Sequence, residues 1–168
     1  MDIYIIGFTR AGKSSLAKSL ATSWQIPAYD TDELIELECA HSIAEIVADH
    51  GWDAFRKLES SMLLKLGNPS FPASPYNLSD IPKPSPEPGT RRISRIISCG
   101  GGIVENPINR DFLKQQRVFW LNPPWALILS RLQTNPSAIC WGRTAKQLFD
   151  LYQIRYPLYR EIVTQCKN

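Results

Sequence analysis

The spacing of apolar residues along the chain changes period several times, and each change marks an element. Residues 3–8, IYIIGF, are short, rich in isoleucine and free of charge, the pattern of a strand buried on both faces of a parallel sheet. A glycine turn follows, and then Leu16, Leu20 and Trp24 recur at i, i+4 and i+8, which predicts a helix over 13–24 with one apolar face. A second strand is expected over 26–32, IPAYDTD, with helical patterning after it at 33–38, 42–49 and 52–66. Ser42 with Glu45 three residues on is a capping box ahead of an apolar run. Strand character returns at 95–98, RIIS, and at 117–122, RVFWLN, and further helices are expected over 125–133 and about 145–155. Strands alternating with helices predict an α/β sandwich around a parallel sheet.

One segment breaks this rhythm. Residues 68–90 hold seven of the thirteen prolines and four serines, and proline at that density removes backbone donors and blocks both helix and sheet. A Pro/Ser-rich surface insertion at about 68–92 within one domain spanning 1–168 is the expectation, since 168 residues suit a single core. The net charge of +3 is modest and the Lys and Arg residues are scattered, which argues against nucleic acid. Cys39, Cys99, Cys140 and Cys166 form no metal-binding spacing and read as free thiols. IYIIGF is too short for a signal segment or a membrane span, so a cytoplasmic protein without a membrane partner is expected.

The chemistry begins at GFTRAGKS, which fits G-x-x-x-x-G-K-[ST] between a strand and an amphipathic helix. Gly7, Ala11, Gly12, Lys13, Ser14 and Ser15 form a candidate nucleotide cradle in which backbone amides meet phosphate oxygens. Lys13 reaches the outer phosphates and the Ser14 hydroxyl binds Mg²⁺. In DTD, strand alternation is expected to send the carboxylates of Asp30 and Asp32 to one side, one for a Mg²⁺ water and the other for a substrate hydroxyl; the competing reading of Asp32 is a turn and helix N-cap. FRKLE sets Arg56 and Glu59 at i, i+3 on one helix face, able to pair with each other. RYPLYRE holds Arg155 just before Pro157, where the helix is expected to end. Two arginines converging on one pocket suit a carboxylate, which the guanidinium fork binds bidentately. Gly100, Gly101 and Gly102 follow the RIIS strand, either as a strained turn or as a floor that a ligand approaches closely.

The ordered set GxxxxGKS, DxD, FRxxE, an apolar strand ending in GGG, and RxPLY resembles the shikimate kinase family over nearly the whole chain. That resemblance implies a three-layer α/β/α P-loop fold of the nucleoside-monophosphate-kinase-like type. It implies a monomer that phosphorylates the 3-hydroxyl of shikimate with ATP and Mg²⁺. Carried over by motif, Asp32 is the candidate base and contacts the shikimate hydroxyls, Arg56 and Arg155 grip its carboxylate, and Glu59 orients Arg56. Asp30 and Ser98 lie near Mg²⁺, Arg131 lies near adenine, and Gly100 to Gly102 line the acceptor pocket.

The chain departs from the family pattern in three ways. It has no Arg-Pro pair where the family carries a lid arginine, and Arg143 is the candidate that replaces it for transition-state charge. The insertion exceeds the family spacing by roughly twenty residues, a length that costs little in closure entropy. After RxPLY the family completes an edge strand, an adenine loop and a helix, and this sequence is expected to end within or just beyond that strand. Another small-metabolite P-loop kinase, of the gluconate type, and a non-catalytic binding protein of the same family remain the alternative readings.

Overall fold

A computed structural model describes residues 1–68, 70–71, 93–140 and 142–166. All but the first residues of the Pro/Ser-rich insertion lie outside the described residues. The four strands are β1 (Asp2–Ile6), β2 (Ala28–Asp30), β3 (Arg95–Ser98) and β4 (Arg117–Trp120). They form one parallel sheet in the order β2-β3-β1-β4, with Ile5 opposite Ser98 and Ser98 opposite Asp30. The helices are α1 (Lys13–Trp24), α2 (Thr31–Cys39), α3 (Ile43–Gly67), α4 (Pro107–Leu113), α5 (Trp125–Thr134) and α6 (Ala145–Gln165).

Strand alternation divides the core between the two faces of the sheet. Ile5 and Ile96 point to the face covered by α1, where they meet Ala17 and Ile26. Tyr4, Ile6, Tyr29 and Ile97 point the other way, into the larger core closed by α2, α3, α4 and α6. The same register sends Asp30 and Ser98 toward the α1 face, at its N-terminal end. The central strand is therefore apolar on both sides, which is why IYII carries no polar residue.

Most sequence expectations for the elements hold, and the differences have physical causes. The β2 strand stops at Asp30, whose side chain caps α2 by accepting from the Asp32 amide at 3.0 Å. Asp32 is thus a first-turn helix residue rather than a strand residue, and the N-cap is Asp30. The Ser42–Glu45 capping box is formed in both directions. The predicted helices 42–49 and 52–66 are the two helical segments of α3, which meet at Gly51, whose non-helical φ of 78° separates them. The short helix α4, which the periodicity does not reveal, starts at an Asn106 cap with Pro107 in its first turn.

The largest departure is at the C-terminal end. Pro157 does not end the helix, and the segment expected as an edge strand is the last turns of α6. A proline inside a helix costs about 3 kcal/mol through its missing amide and its clash with the preceding turn. Burial outweighs this, because Tyr159 and Ile162, both beyond the proline, are fully buried in the main core, and Tyr159 also stacks on Trp120 of β4. Ile162→Ala is accordingly expected to lower stability by about 2–5 kcal/mol, read as a shifted urea midpoint. A loss well under 1 kcal/mol would show that the turns beyond Pro157 add little to the fold.

Candidate active site

Two cavities open at the C-terminal edge of the sheet, one of about 910 Å³ and one of about 250 Å³. The larger is lined by the loop between β1 and α1, and the smaller by α2, α3, the glycine turn after β3 and α6. They share Thr9, Asp32, Glu36, Ile43, Gly101 and Ser137.

The loop curls because its two motif glycines take backbone conformations that other residues avoid. Gly12 has φ 105° at the N-cap of α1, and Gly7 has φ 152°, where an added Cβ would overlap the Leu121 carbonyl. The helix then opens at Lys13 with no side-chain cap, so its first amides have no intrahelical acceptor and its dipole favours an anion. Lys13 is buried and donates to the Phe8 carbonyl at 3.0 Å. Burial pushes its pKa down, against the opposing pull of Asp32 and Asp30. Ala11, Ser14 and Ser15 line the same cavity. Arg131 lines it too, and donates to the carbonyls of Arg10 and Ala11 at 3.1 and 2.8 Å, so that it braces the loop from α5.

Below the loop, Ser14 Oγ donates to Asp30 Oδ2 at 2.5 Å and lies 3.4 Å from Ser98 Oγ. These are hard oxygen donors beside a phosphate cradle, the donor set that suits Mg²⁺. Among the described residues no cluster of three or more His, Cys, Asp or Glu side chains could hold a metal by itself.

Asp32 stands where the cavities meet, and its Oδ1 is buried without a partner among the described residues. Burial, then Asp30 and Glu59, push its carboxyl up to about 8, against Lys13 and Arg56. Behind it, Arg56 Nη1 donates to Glu59 Oε2 at 2.6 Å, the i, i+3 pair expected from FRKLE. Glu59 itself is buried, and its Oε1 has no partner among the described residues. The Arg56 guanidinium lies 5.2 Å from the Trp52 ring centre, within cation–π range.

The three glycines of the β3 turn serve space rather than torsion, since none of them adopts positive φ. A Cβ at Gly100 would overlap Glu59 Oε1 and Asp32 Oδ1, one at Gly101 would overlap Thr9, and one at Gly102 would overlap the Arg56 guanidinium. The turn itself is held from outside. The Gly100 amide donates to Thr31 Oγ1 at 2.8 Å, and the buried Tyr159 hydroxyl donates to the Gly101 carbonyl at 2.5 Å.

Arg155 arrives from α6 and is 1% exposed, with its guanidinium 5.4 Å from the Phe8 ring centre. The two arginines do converge, through a residue that sequence reasoning missed. Glu105, in the turn after the glycines, accepts from Arg155 Nε at 2.8 Å and pairs with Arg155 Nη2 and Arg56 Nε, each at 2.7 Å. Burial alone would raise the Glu105 carboxyl, but Arg155 and Arg56 outweigh it and hold the carboxyl below its ordinary range. Its only sequence signal is an acidic residue three positions after GGG in an otherwise apolar run. Trp52 and Thr9 also line the smaller cavity; Trp52 carries no motif, and Thr9 stands at an unspecified position of the phosphate-loop motif.

Arg143 does not line either cavity. It donates to the Ile139 carbonyl at 2.8 Å and lies 5.6 Å from the Trp52 ring centre. Its neighbour Trp141 lies outside the described residues.

A model of the shikimate kinase family matches residues 10–70 and 89–168. A shikimate kinase of Synechococcus sp. is 33% identical over 136 residues, which are 81% of this chain and 60% of that protein. One from Staphylococcus aureus is 33% identical over 162 residues, 95% of this chain and 79% of the relative. The solved shikimate kinase of Acinetobacter baumannii, in complex with shikimate, superposes with a TM-score of 0.75 at 28% identity, covering 96% of this chain and 79% of that one. The phosphate loop at one end of a shared crevice, the paired arginines at the other and these likenesses agree: the chain belongs to the shikimate kinase family.

Proposed function

We propose that the protein is a shikimate kinase, transferring the γ-phosphoryl group of ATP to the 3-hydroxyl of shikimate. The observation that carries this reading is the buried, unpaired Oδ1 of Asp32 at the junction of the two cavities. A buried carboxylate oxygen without a donor is costly, and a hydroxyl bound there supplies one. Its raised proton affinity suits a base that accepts the hydroxyl proton as the phosphoryl group arrives.

The remaining residues take roles that follow from where they stand. Lys13 and the first amides of α1 hold the transferring phosphates, with Ala11, Gly12 and Ser15 shaping the cradle and Arg131 stiffening it. Ser14 and Asp30 would hold Mg²⁺, which when bound neutralises phosphate charge. Arg56 and Arg155 receive the acceptor's carboxylate, Glu59 orients Arg56, and Gly100 to Gly102 let these groups lie against backbone. The 250 Å³ cavity, bordered by both arginines, suits a small polyhydroxy acid. Both halves of the reaction are served by one domain acting as a cytoplasmic monomer on free metabolites. Among the described residues no helix is long and apolar enough to cross a membrane.

A coupled assay of ADP release tests the reading. Turnover is expected with shikimate, to require Mg²⁺ and to stop with EDTA. Gluconate or a nucleoside monophosphate as the better acceptor would replace the assignment, and background turnover despite ATP binding would reduce the protein to a ligand-binding role.

Arg56→Ala removes a charged partner of the acceptor, and about 2–5 kcal/mol of binding should go with it. The shikimate KM is expected to rise by about one and a half to three and a half orders of magnitude, as such a loss implies, with the ATP KM nearly constant. An unchanged shikimate KM would remove Arg56 from the acceptor site. Arg143 is assigned the charge-stabilising role, one Trp52 ring away from the acceptor cavity. Arg143→Ala should lower kcat by about 10²–10³, and a kcat within twofold of the parent would exclude it from catalysis.

A further inference from the structure

We propose that Glu105 is a positioning residue for the acceptor's carboxylate, fastening Arg56 and Arg155 side by side so that one nitrogen of each stays free to bind it. This rests on the shikimate kinase reading and adds a residue to it.

Glu105 divides its carboxylate between the two guanidiniums, Oε2 to Arg56 and Oε1 to Arg155. These bonds and the Glu59 contact use Nε and Nη1 of Arg56 and Nε and Nη2 of Arg155. Arg56 Nη2 and Arg155 Nη1 remain, without a partner among the described residues, and Arg155 Nη1 is fully buried. Both arginines line the acceptor cavity, whereas Glu105 does not, so the carboxylate grips them from behind rather than filling the place of a ligand.

Two features make this a positioning contact rather than a surface ion pair. Arg155 has no other salt bridge among the described residues, so its orientation depends on Glu105 and on the Phe8 ring. Glu105 is itself held through its main chain. Its amide donates to the Gly102 carbonyl at 2.9 Å, and Arg110 Nη1 donates to the Val104 and Glu105 carbonyls at 2.8 and 3.1 Å. Glu105 bridges the two guanidiniums and Glu59 meets Arg56, so opposite charge lies against both arginines before the acceptor arrives. An acceptor that lacks a carboxylate then leaves a buried donor unpaired, which is how a polar site rejects an analogue.

The test compares kcat/KM for shikimate with kcat/KM for its uncharged methyl ester, in the parent protein and in Glu105→Gln, Glu105→Ala and Glu105→Asp. A merely structural role lowers the active fraction and both values together, leaving their ratio unchanged. The proposal expects the preference for the free acid to fall at least tenfold in Glu105→Gln and Glu105→Ala, with the ATP KM held and with partial recovery in Glu105→Asp. If Glu105→Ala does not fold, Glu105→Gln, which keeps the volume and one acceptor oxygen, carries the comparison. A ratio that does not move overturns the assignment, and so does a lower shikimate KM in Glu105→Gln, which would make Glu105 a competitor for the arginines. Failure of the parent to phosphorylate shikimate overturns the functional reading itself, and this assignment with it.

Discussion

The end of the crevice that holds the paired arginines depends on how one buried charge is met. Arg155 lies almost wholly out of water, where an unpaired guanidinium would cost several kcal/mol. Its charge is balanced by Glu105, its guanidinium lies over the Phe8 ring, and the helix that carries it is fixed by the burial of Tyr159 and Ile162 in the main core. Tyr159 in turn holds the Gly101 carbonyl, and Gly102 lies beneath Arg56. A change in the α6 core would therefore reach the site through the same few contacts.

The two glycine-rich turns solve different problems with the same residue. At Gly7 and Gly12 the backbone must turn with positive φ so that the loop can curl into the first turn of α1. At Gly100 to Gly102 the torsions are ordinary, and what is needed is the absence of Cβ atoms where two carboxylates, a threonine and a guanidinium press against the main chain. One turn is thus shaped by its own torsions, and the other by the charged and polar side chains that press on it. Asp32 lies between the two and borders both cavities.

The strands, the phosphate loop and the pairing of Arg56 with Glu59 were legible in the sequence because each is a local matter. A short unbroken apolar run, glycine spacing and an i, i+3 contact are set by neighbours along the chain. The local rules misled where tertiary packing opposed them. Pro157 should end a helix by its own chemistry, yet the apolar residues beyond it are buried deeply enough to carry α6 on to Gln165. DTD looked like a strand end, but the capping bond from the Asp32 amide to Asp30 was a cheaper use of that carboxylate.

By itself the sequence determined the α/β alternation, the phosphate cradle and the residue types that two substrates need. Only the tertiary structure decided that Arg56 and Arg155 meet, because residues a hundred positions apart are brought together by the strand order β2-β3-β1-β4 and the return of α6 across it. It alone showed that Glu105, fifty residues before Arg155, joins them. An ion pair between distant residues leaves no period or spacing in the chain, since its geometry belongs to the fold and not to either neighbourhood.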